Sequence, residues 1–440
     1  MPRLFKYIIF WGGIYLSALV MPLLFAAWAH TGEGRGFWVE FGVALGLVGL
    51  AMLALQFALT ARFRKATLPF GVDSILQFHR QAGIIAFFFI FAHPIILILA
   101  DRRYLEFFDP RVNAPRTIFL IVAMLCLLIL IVLSIWREKF RLSYEWWRFT
   151  HGVAAVLLVG IGLAHALQVG HYLEPTWKKA IWIAFTGVAF YLIGFLRLIK
   201  PLRIWRRPWR IAEVRNEPGD VWTLVLDAEG HAGMKHDPGQ FVWITVKKIP
   251  FALQQHPFSI ASCSPDPRRL ELTIKELGDW TSKLGQIPPG SRAFLEGPYG
   301  TFTLDENFDG GLVFIVGGIG VTPCMSMLRA LRNANSRRKM LLIYGNKTHD
   351  AIVFNDELEA MQREMDLTVV HVVETPSDDW HGETGFLTGE LLDRYLPGDQ
   401  REDYHYYICG PDPMMDVAEN ALMDRGVPLW NIYIERFKMV

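Results

Sequence analysis

Apolar residues are laid along this chain in two different styles. Between about Leu4 and Ile199 they run in long blocks, and six of these, at 4–28, 37–60, 76–100, 116–136, 147–171 and 178–199, reach the roughly 20 residues a helix needs to cross a bilayer. After Arg210 the pattern breaks into short runs. "DVWTLVLDA" and "GQFVWITV" alternate as half-buried strands do, and further short strands punctuated by Pro and Gly continue to about Thr303. From Gly311 onward apolar strands alternate with amphipathic helices, the order that builds a parallel sheet covered by helices. The expected architecture is a multi-domain membrane protein: a six-helix transmembrane bundle over 1–203, an antiparallel β-barrel over 204–305 and an α/β parallel-sheet domain over 306–440, with the basic linker "KPLRIWRRPWR" between the first two.

Charge sharpens this picture. Arg62, Arg64 and Lys65, then Arg137, Lys139, Arg141 and Arg148, then the linker arginines and Lys200 all fall on one side of the six blocks. The other side carries a smaller basic set, led by Arg35, Arg102, Arg103, Arg111 and Arg116, with acidic residues among them. The positive-inside rule then puts both termini and the whole second half in the cytoplasm of a cell whose inner, plasma membrane holds the bundle. "AWA" at Ala27 to Ala29 follows a basic start as a signal-peptidase site would, but the apolar stretch is long for a signal peptide and predicts an uncleaved first helix. A net charge of +1 over 440 residues gives no support to nucleic-acid binding. Cys126 lies in a membrane span and Cys263, Cys324 and Cys409 in the cytoplasmic half, where reduced thiols are expected.

Ionisable side chains inside a membrane helix are costly and mark function. "FHRQAGIIAFFFIFAHP" places His79 and His93 14 positions apart, and "THGVAAVLLVGIGLAHA" repeats that spacing with His151 and His165. Fourteen residues are just under four helical turns and about 21 Å of rise, so each pair projects from one face. Both blocks run in the same direction, which sets His79 level with His151 and His93 level with His165. A lone intramembrane histidine commonly just hydrogen-bonds a neighbouring helix; four in matched register suit two stacked b-type haems, each iron held by one imidazole from each helix. Zinc would need a third and fourth ligand at each level. Gly83, Gly152, Gly160 and Gly162 would let a macrocycle approach the backbone, or serve helix packing.

The second half carries a specific resemblance. "DPGQFVWITV", "HPFSIAS", "LELTIKELGDWTSKL" and "LEGPYGTF" follow one another as in the flavin domain of the ferredoxin-NADP reductase superfamily, and "HPFS" resembles the form found in transmembrane NADPH oxidases and ferric reductases. The resemblance implies bound FAD, with Ser259 at the flavin N5, His256, Pro257 and Phe258 holding the ring and phosphate chain, and Lys275 with the Gly278, Thr281 and Ser282 turn meeting the pyrophosphate. "LVFIVGGIGVTPCMSMLRAL" is a strand, a glycine-rich turn and a helix, the arrangement that seats a dinucleotide phosphate; Gly317, Gly318 and Gly320 allow close approach and Thr322 and Pro323 start the helix. Cys409, Gly410 and Pro411 resemble the superfamily's nicotinamide-side motif, with Cys409 lining the hydride-transfer site. Near the end of the chain, Phe437 with Glu435 matches the terminal aromatic that covers the flavin, and Tyr433 is a rival.

Taken together, the whole chain resembles a bacterial NADPH oxidase-like or ferric reductase-like flavocytochrome b. That implies an NAD(P)H-dependent transmembrane oxidoreductase with FAD, two b-type haems and NADPH or NADH, Lys347 and Thr348 being the candidates for a 2′-phosphate contact that would favour NADPH. The implied acceptor lies outside: O2 giving superoxide first, then a ferric chelate, then a periplasmic redox protein docked on the loop "DRRYLEFFDPRVNAPR". Oxygen-reducing relatives commonly carry a histidine one turn past the outer ligand of the third helix and an arginine in the second. Here the first position is Leu97 and block two has no arginine before Arg62, leaving Gln168 and His171 as substitutes, and Arg102 and Arg103 as partners for haem propionates.

Overall fold

A computed structural model describes residues 2–28, 34–61, 70–252, 254–398 and 401–436. Ala29, the basic residues from Arg62 to Lys65, and Phe437 lie outside the described residues. The chain divides into two units, one ending at Pro201 and the next beginning at Leu202.

In the first unit six helices among the described residues are long and apolar enough to cross a membrane: α1 (Pro2–Ala27), α2 (Phe37–Leu59), α3 (Gly71–Ala100), α4 (Pro110–Trp136), α5 (Tyr144–Val169) and α6 (Thr176–Gly194). α4 starts earlier than its apolar block because Asp109 caps it, accepting from Arg111 N–H at 2.9 Å, with Pro110 in the first turn, where a missing N–H does no harm. Asn113 is non-helical and breaks that early turn from the span proper. α5 is opened by Ser143, whose hydroxyl accepts from Trp146 N–H, and closed by Gly170 at φ +72, a left-handed conformation glycine adopts without strain. The loop after α3 is a 3₁₀ helix, Arg102–Phe108, started by Asp101. α2 is the inner rod of the bundle, with half of its apolar window buried, against 6–17% for the other spans. Its small residues explain why: a Cβ on Gly49 would lie 2.6 Å from Ile90 Cγ1 and one on Gly42 3.1 Å from Leu97 Cδ2, so α2 and α3 pack closely along their length.

The second unit begins with an antiparallel sheet of β1 (Trp209–Glu217), β2 (Val221–Ala228), β3 (Phe241–Val246), β4 (His256–Ser259), β5 (Arg269–Lys275) and β6 (Arg292–Tyr299), in the order β4-β3-β6-β1-β2-β5. A bridge from Ile260, just past β4, to Leu272 of β5 joins the two outer strands and closes the sheet on itself, which removes its edges. Trp209, Ile211, Leu224, Leu226 and Leu295 fill its interior.

A six-stranded parallel sheet follows, ordered β10-β9-β8-β7-β11-β12. Its centre is β7 (Gly311–Gly317), β8 (Met340–Asn346) and β11 (Tyr404–Cys409), flanked by β9 (Leu367–Val373), β10 (Glu383–Thr384) and β12 (Ile432–Glu435). The chain leaves β7 in one direction for β8 and returns to its other side as β11, so the strand order reverses between β7 and β11. Helices α7 (Val321–Asn333), α8 (Asn355–Glu364), α9 (Gly389–Tyr395) and α10 (Asp412–Asp424) cover it. Arg329 of α7 ties sheet domain to barrel: it donates to Ala261 O at 2.9 Å and pairs with Glu271 of the barrel and Glu357 of α8. Burial alone would lower its pKa, but the Glu357 and Glu271 carboxylates outweigh that and raise it.

Candidate electron-transfer sites

α3 and α5 bring their histidines opposite one another, with ring planes 58° apart for His79 and His151 and 73° apart for His93 and His165. The ring centres of His79 and His151 are 6.3 Å apart, and those of His93 and His165 are 6.4 Å apart. A metal–nitrogen bond of about 2.0–2.1 Å on each side, plus about 1.1 Å from ring nitrogen to ring centre, sets two imidazoles on opposite sides of one metal ion about 6.3 Å apart. Both pairs match that separation.

Proton positions agree with it at two of the four rings. Gly42 O lies 2.7 Å from His93 Nδ1, and a carbonyl only accepts, so Nδ1 carries the proton and the Nε2 lone pair is left for a metal. Ser134 donates its one hydroxyl proton to Leu130 O at 2.6 Å. Its oxygen, 3.2 Å from His151 Nδ1, is therefore left to accept from that nitrogen, and again Nε2 is free. Partners of this kind orient ligand imidazoles and raise their basicity. Among the described residues no group of three or more His, Cys, Asp or Glu converges as a metal site, so the third and fourth protein ligands that zinc would need at each level are not supplied. The four histidines fit a bis-imidazole haem at each level.

Beside His93 and His165 an apolar cavity opens, lined also by Gly46, Leu50, Leu97 and Phe107. A Cβ on Gly46 would lie 2.7 Å from His93 Nδ1: this glycine makes room for the ligand ring. Of the glycines singled out from sequence, Gly162 also lines this cavity, and a Cβ on it would meet Leu50 at 2.9 Å; a Cβ on Gly160 would meet Phe190 at 3.8 Å, which is helix packing. Arg35 also lines the cavity, its Nε and backbone N–H held by Glu40 Oε1, and Tyr172 donates to the other oxygen of that carboxylate. Block two itself holds no arginine; Arg35 lies just ahead of α2. His171 lines the same cavity, whereas Gln168 is exposed and Arg103 donates to Asp101 at the surface.

In the barrel, "HPFS" is strand β4, paired with β3 from Phe241–Ser259 to Ile244–His256. Alternation puts His256 and Phe258 on one face, where both stack against Trp280 with ring centres at 4.3 and 5.7 Å and planes 21° apart. Trp280 was not among the sequence candidates; it sits inside the "GDWTS" turn, where its ring gave no periodic signal. Ser259 is buried and Lys275 ends β5. Thr281 organises the turn, accepting from Leu277 and Gly278 N–H at 2.8 and 2.9 Å, and Ser282 donates to Asp279 O.

In the sheet domain the glycine-rich turn and the Cys-Gly-Pro turn end the adjacent strands β7 and β11, at the switch point where open α/β sheets bind ligands. They pack backbone to backbone: a Cβ on Gly320 would run into Cys409 O, and one on Gly410 would lie 2.9 Å from Gly317 N. Gly318 differs, with φ +51 and open space beside it. Thr322 donates to Ile319 O at 2.9 Å, and Thr322 and Pro323 are buried at the start of α7. Pro411 precedes α10 and abuts Gly317. Cys409 pairs with Glu435 across β11 and β12 and is fully buried; burial, with Cys324 and Glu435 adding to it, pushes its thiol well above the usual range. Lys347 is exposed just past β8. Tyr433 stacks on Tyr407 at 4.8 Å, which commits its ring to the interior of this domain.

Residues 45–162 match the family described as ferric reductase like transmembrane component, 206–303 an FAD-binding domain and 314–420 an oxidoreductase NAD-binding domain. The chain is 32% identical over 184 residues to one component of the Na(+)-translocating NADH-quinone reductase of Histophilus somni, a match that takes in 41% of this chain and 44% of that protein. The chain thus spans less than half the length of these curated relatives. It is 30% identical over 235 residues to ferredoxin–NADP reductase B of Sorangium cellulosum, across 52% of this chain and 96% of that one. A solved structure, a ferredoxin reductase in carbazole 1,9a-dioxygenase, is 25% identical with a TM-score of 0.47 over 53% of this chain and 69% of its own. The protein is a multi-pass membrane protein that carries an FAD-binding domain and an oxidoreductase NAD-binding domain. It belongs to the ferredoxin–NADP reductase family, its reductase module fused to a ferric-reductase-like membrane domain.

Proposed function

We propose that this chain carries electrons from cytosolic NAD(P)H, with FAD and two b-type haems as carriers, to an acceptor on the outer face of an inner (plasma) membrane, and that the acceptor is O2, released as superoxide. When bound, the flavin takes a hydride and passes electrons on singly, and each haem iron cycles between two oxidation states. One hydride holds two electrons, so each NAD(P)H oxidised accounts for two O2 reduced by one electron each.

The observation that carries this reading is the pair of facing imidazoles at 6.3 and 6.4 Å on two levels of α3 and α5. The chain's own groups have distinct tasks. His79 with His151, and His93 with His165, would hold the irons, His93 and His151 through the Nε2 that their Nδ1 partners leave free. Ser259, His256, Pro257 and Phe258, with Trp280 against the His256 and Phe258 rings, seat the flavin; Lys275 and the Gly278, Thr281 and Ser282 turn face its phosphates. Gly317, Gly318, Gly320, Thr322, Pro323, Gly410 and Pro411 admit the nicotinamide coenzyme, Cys409 lines the hydride path as a neutral thiol, and Glu435 and Phe437 close the flavin side. Lys347, exposed past β8, supports a 2′-phosphate contact and NADPH over NADH. Arg35, with His171 in the same cavity, puts a cation beside the His93–His165 pair, where an anionic product forms.

Purified protein given NADPH, with superoxide and Fe(II) from a ferric chelate assayed separately under air and under nitrogen, tests the acceptor. Superoxide formed under air at twice the rate of NADPH oxidation supports the reading. Fe(II) formed equally fast in both atmospheres makes the protein a ferric-chelate reductase instead, and turnover that needs a periplasmic extract makes it a relay to a periplasmic redox protein.

A further inference from the structure

α2 carries no histidine, yet it lies against both histidines of α3. Gly42 O faces His93 Nδ1 at 2.7 Å. Fourteen residues further along α2, the buried carboxamide of Gln56 has one end 2.5 Å from His79 Nδ1 and 3.3 Å from His79 O, and its other end 3.1 Å from Gly83 N. His79 and His93 are likewise 14 apart, and the two helices run antiparallel, so one packing register delivers both contacts.

The two contacts differ in chemistry. Gly42 O can only accept, and so fixes the His93 tautomer whether or not a metal is bound. A carboxamide both donates and accepts. With its nitrogen toward His79, Gln56 donates to Nδ1 and to the His79 carbonyl while its oxygen accepts from Gly83 N–H; the ring proton then sits on Nε2, which has no lone pair for iron. With its oxygen toward His79, it accepts from Nδ1–H and leaves Nε2 free to ligate, at the cost of setting that oxygen 3.3 Å from the His79 carbonyl and its nitrogen 3.1 Å from Gly83 N–H, a cost the iron–Nε2 bond must offset. Resting on the di-haem reading above, we propose that Gln56 is the positioning residue for the His79–His151 haem. It turns its oxygen to Nδ1–H when His79 ligates, and by accepting that hydrogen bond it makes the imidazole more basic and lowers the potential of that iron relative to an unpartnered ligand.

The test is a spectroscopic redox titration of the full-length, haem-loaded protein in detergent, comparing wild type, Gln56→Met and Gln56→Glu. The His79–His151 haem is identified as the wave that survives in His93→Leu. Removing the acceptor in Gln56→Met shifts that wave to higher potential, and the stronger carboxylate acceptor in Gln56→Glu shifts it lower, while the second wave stays at its wild-type position in both. A residue that only packs would shift the wave in one direction whichever side chain replaced it. Shifts of the same sign in both variants, or no shift in either, overturn the proposal. If Gln56→Met does not retain the haem, Gln56→Glu decides alone: a lower potential supports the proposal, and an unchanged or higher one overturns it. Failure of the di-haem reading is seen separately, in wild-type protein that does not bind two b-type haems.

Discussion

The imidazole of His93 lies opposite that of His165 with 6.4 Å between ring centres, and Gly42 O, 2.7 Å from His93 Nδ1, holds the proton of His93 on that nitrogen and leaves Nε2 its lone pair. Replacing His93 by Leu is therefore expected to abolish one haem of two while NADPH-driven flavin reduction continues. Haem content per chain and the rate of flavin bleaching under nitrogen check both halves of that outcome; loss of FAD instead would mean the residue serves a different purpose.

Gly46 makes a sharper test, because it has no side chain of its own to ligate and acts only through the room it leaves for His93. A methyl group there would meet His93 Nδ1 at 2.7 Å, and overpacking of this kind costs about 1–3 kcal/mol. Gly46→Ala should lower occupancy of the His93–His165 site and leave the other haem in place. Gly187→Ala, where a Cβ meets nothing within 4 Å, should leave both at wild-type occupancy. Equal haem content in the two variants would remove Gly46 from the account.

Much of this was legible in the chain because it rests on period and length. The six spans, the 14-residue histidine spacing and the change from long apolar blocks to strand-like alternation all survive translation into structure, since helix pitch and strand pleat are local properties. What was not legible comes from neighbours distant in sequence. Gln56, Ser134 and the Gly42 carbonyl acquire meaning only when α2 and α4 pack beside the ligand helices, and Arg35 lies one residue before Gly36, outside any apolar block. α4 begins six residues before its apolar run because Asp109 and Pro110 make a good helix start, a local signal that apolar counting passes over.

Cys409 is buried against Cys324 and Glu435, and its thiol stays protonated well past the ordinary cysteine range. Cys409→Ala should slow hydride transfer to the flavin while haem content is unchanged. In the wild type, stopped-flow rates of flavin reduction should show no thiol ionisation between pH 7 and 9. A limb in that window that disappears in Cys409→Ala would mean a thiolate takes part.

His405 sits in the sheet domain with its ring stacked on Phe308, centres 3.5 Å apart and planes 5° apart. Burial pushes its pKa down to about 4, with Asp305 and Arg338 acting in opposite directions on either side. The unfolded chain, with a histidine near its usual 6.5, then takes up more protons than the fold between those two values. Stability from this residue is full above about pH 6.5 and falls as pH drops toward 4, by up to about 3 kcal/mol at 1.36 kcal/mol per pKa unit. His405→Phe keeps a ring against Phe308 and should flatten that part of the pH dependence of thermal unfolding; an unchanged slope would assign it to other groups.

The central claim is that α3 and α5 hold two haems between facing histidines. A pyridine haemochrome assay on purified protein, normalised to chain and to FAD, measures it directly: the account predicts two b-type haems per FAD per chain. One haem per chain, or none, would contradict it and leave a membrane-anchored flavin reductase.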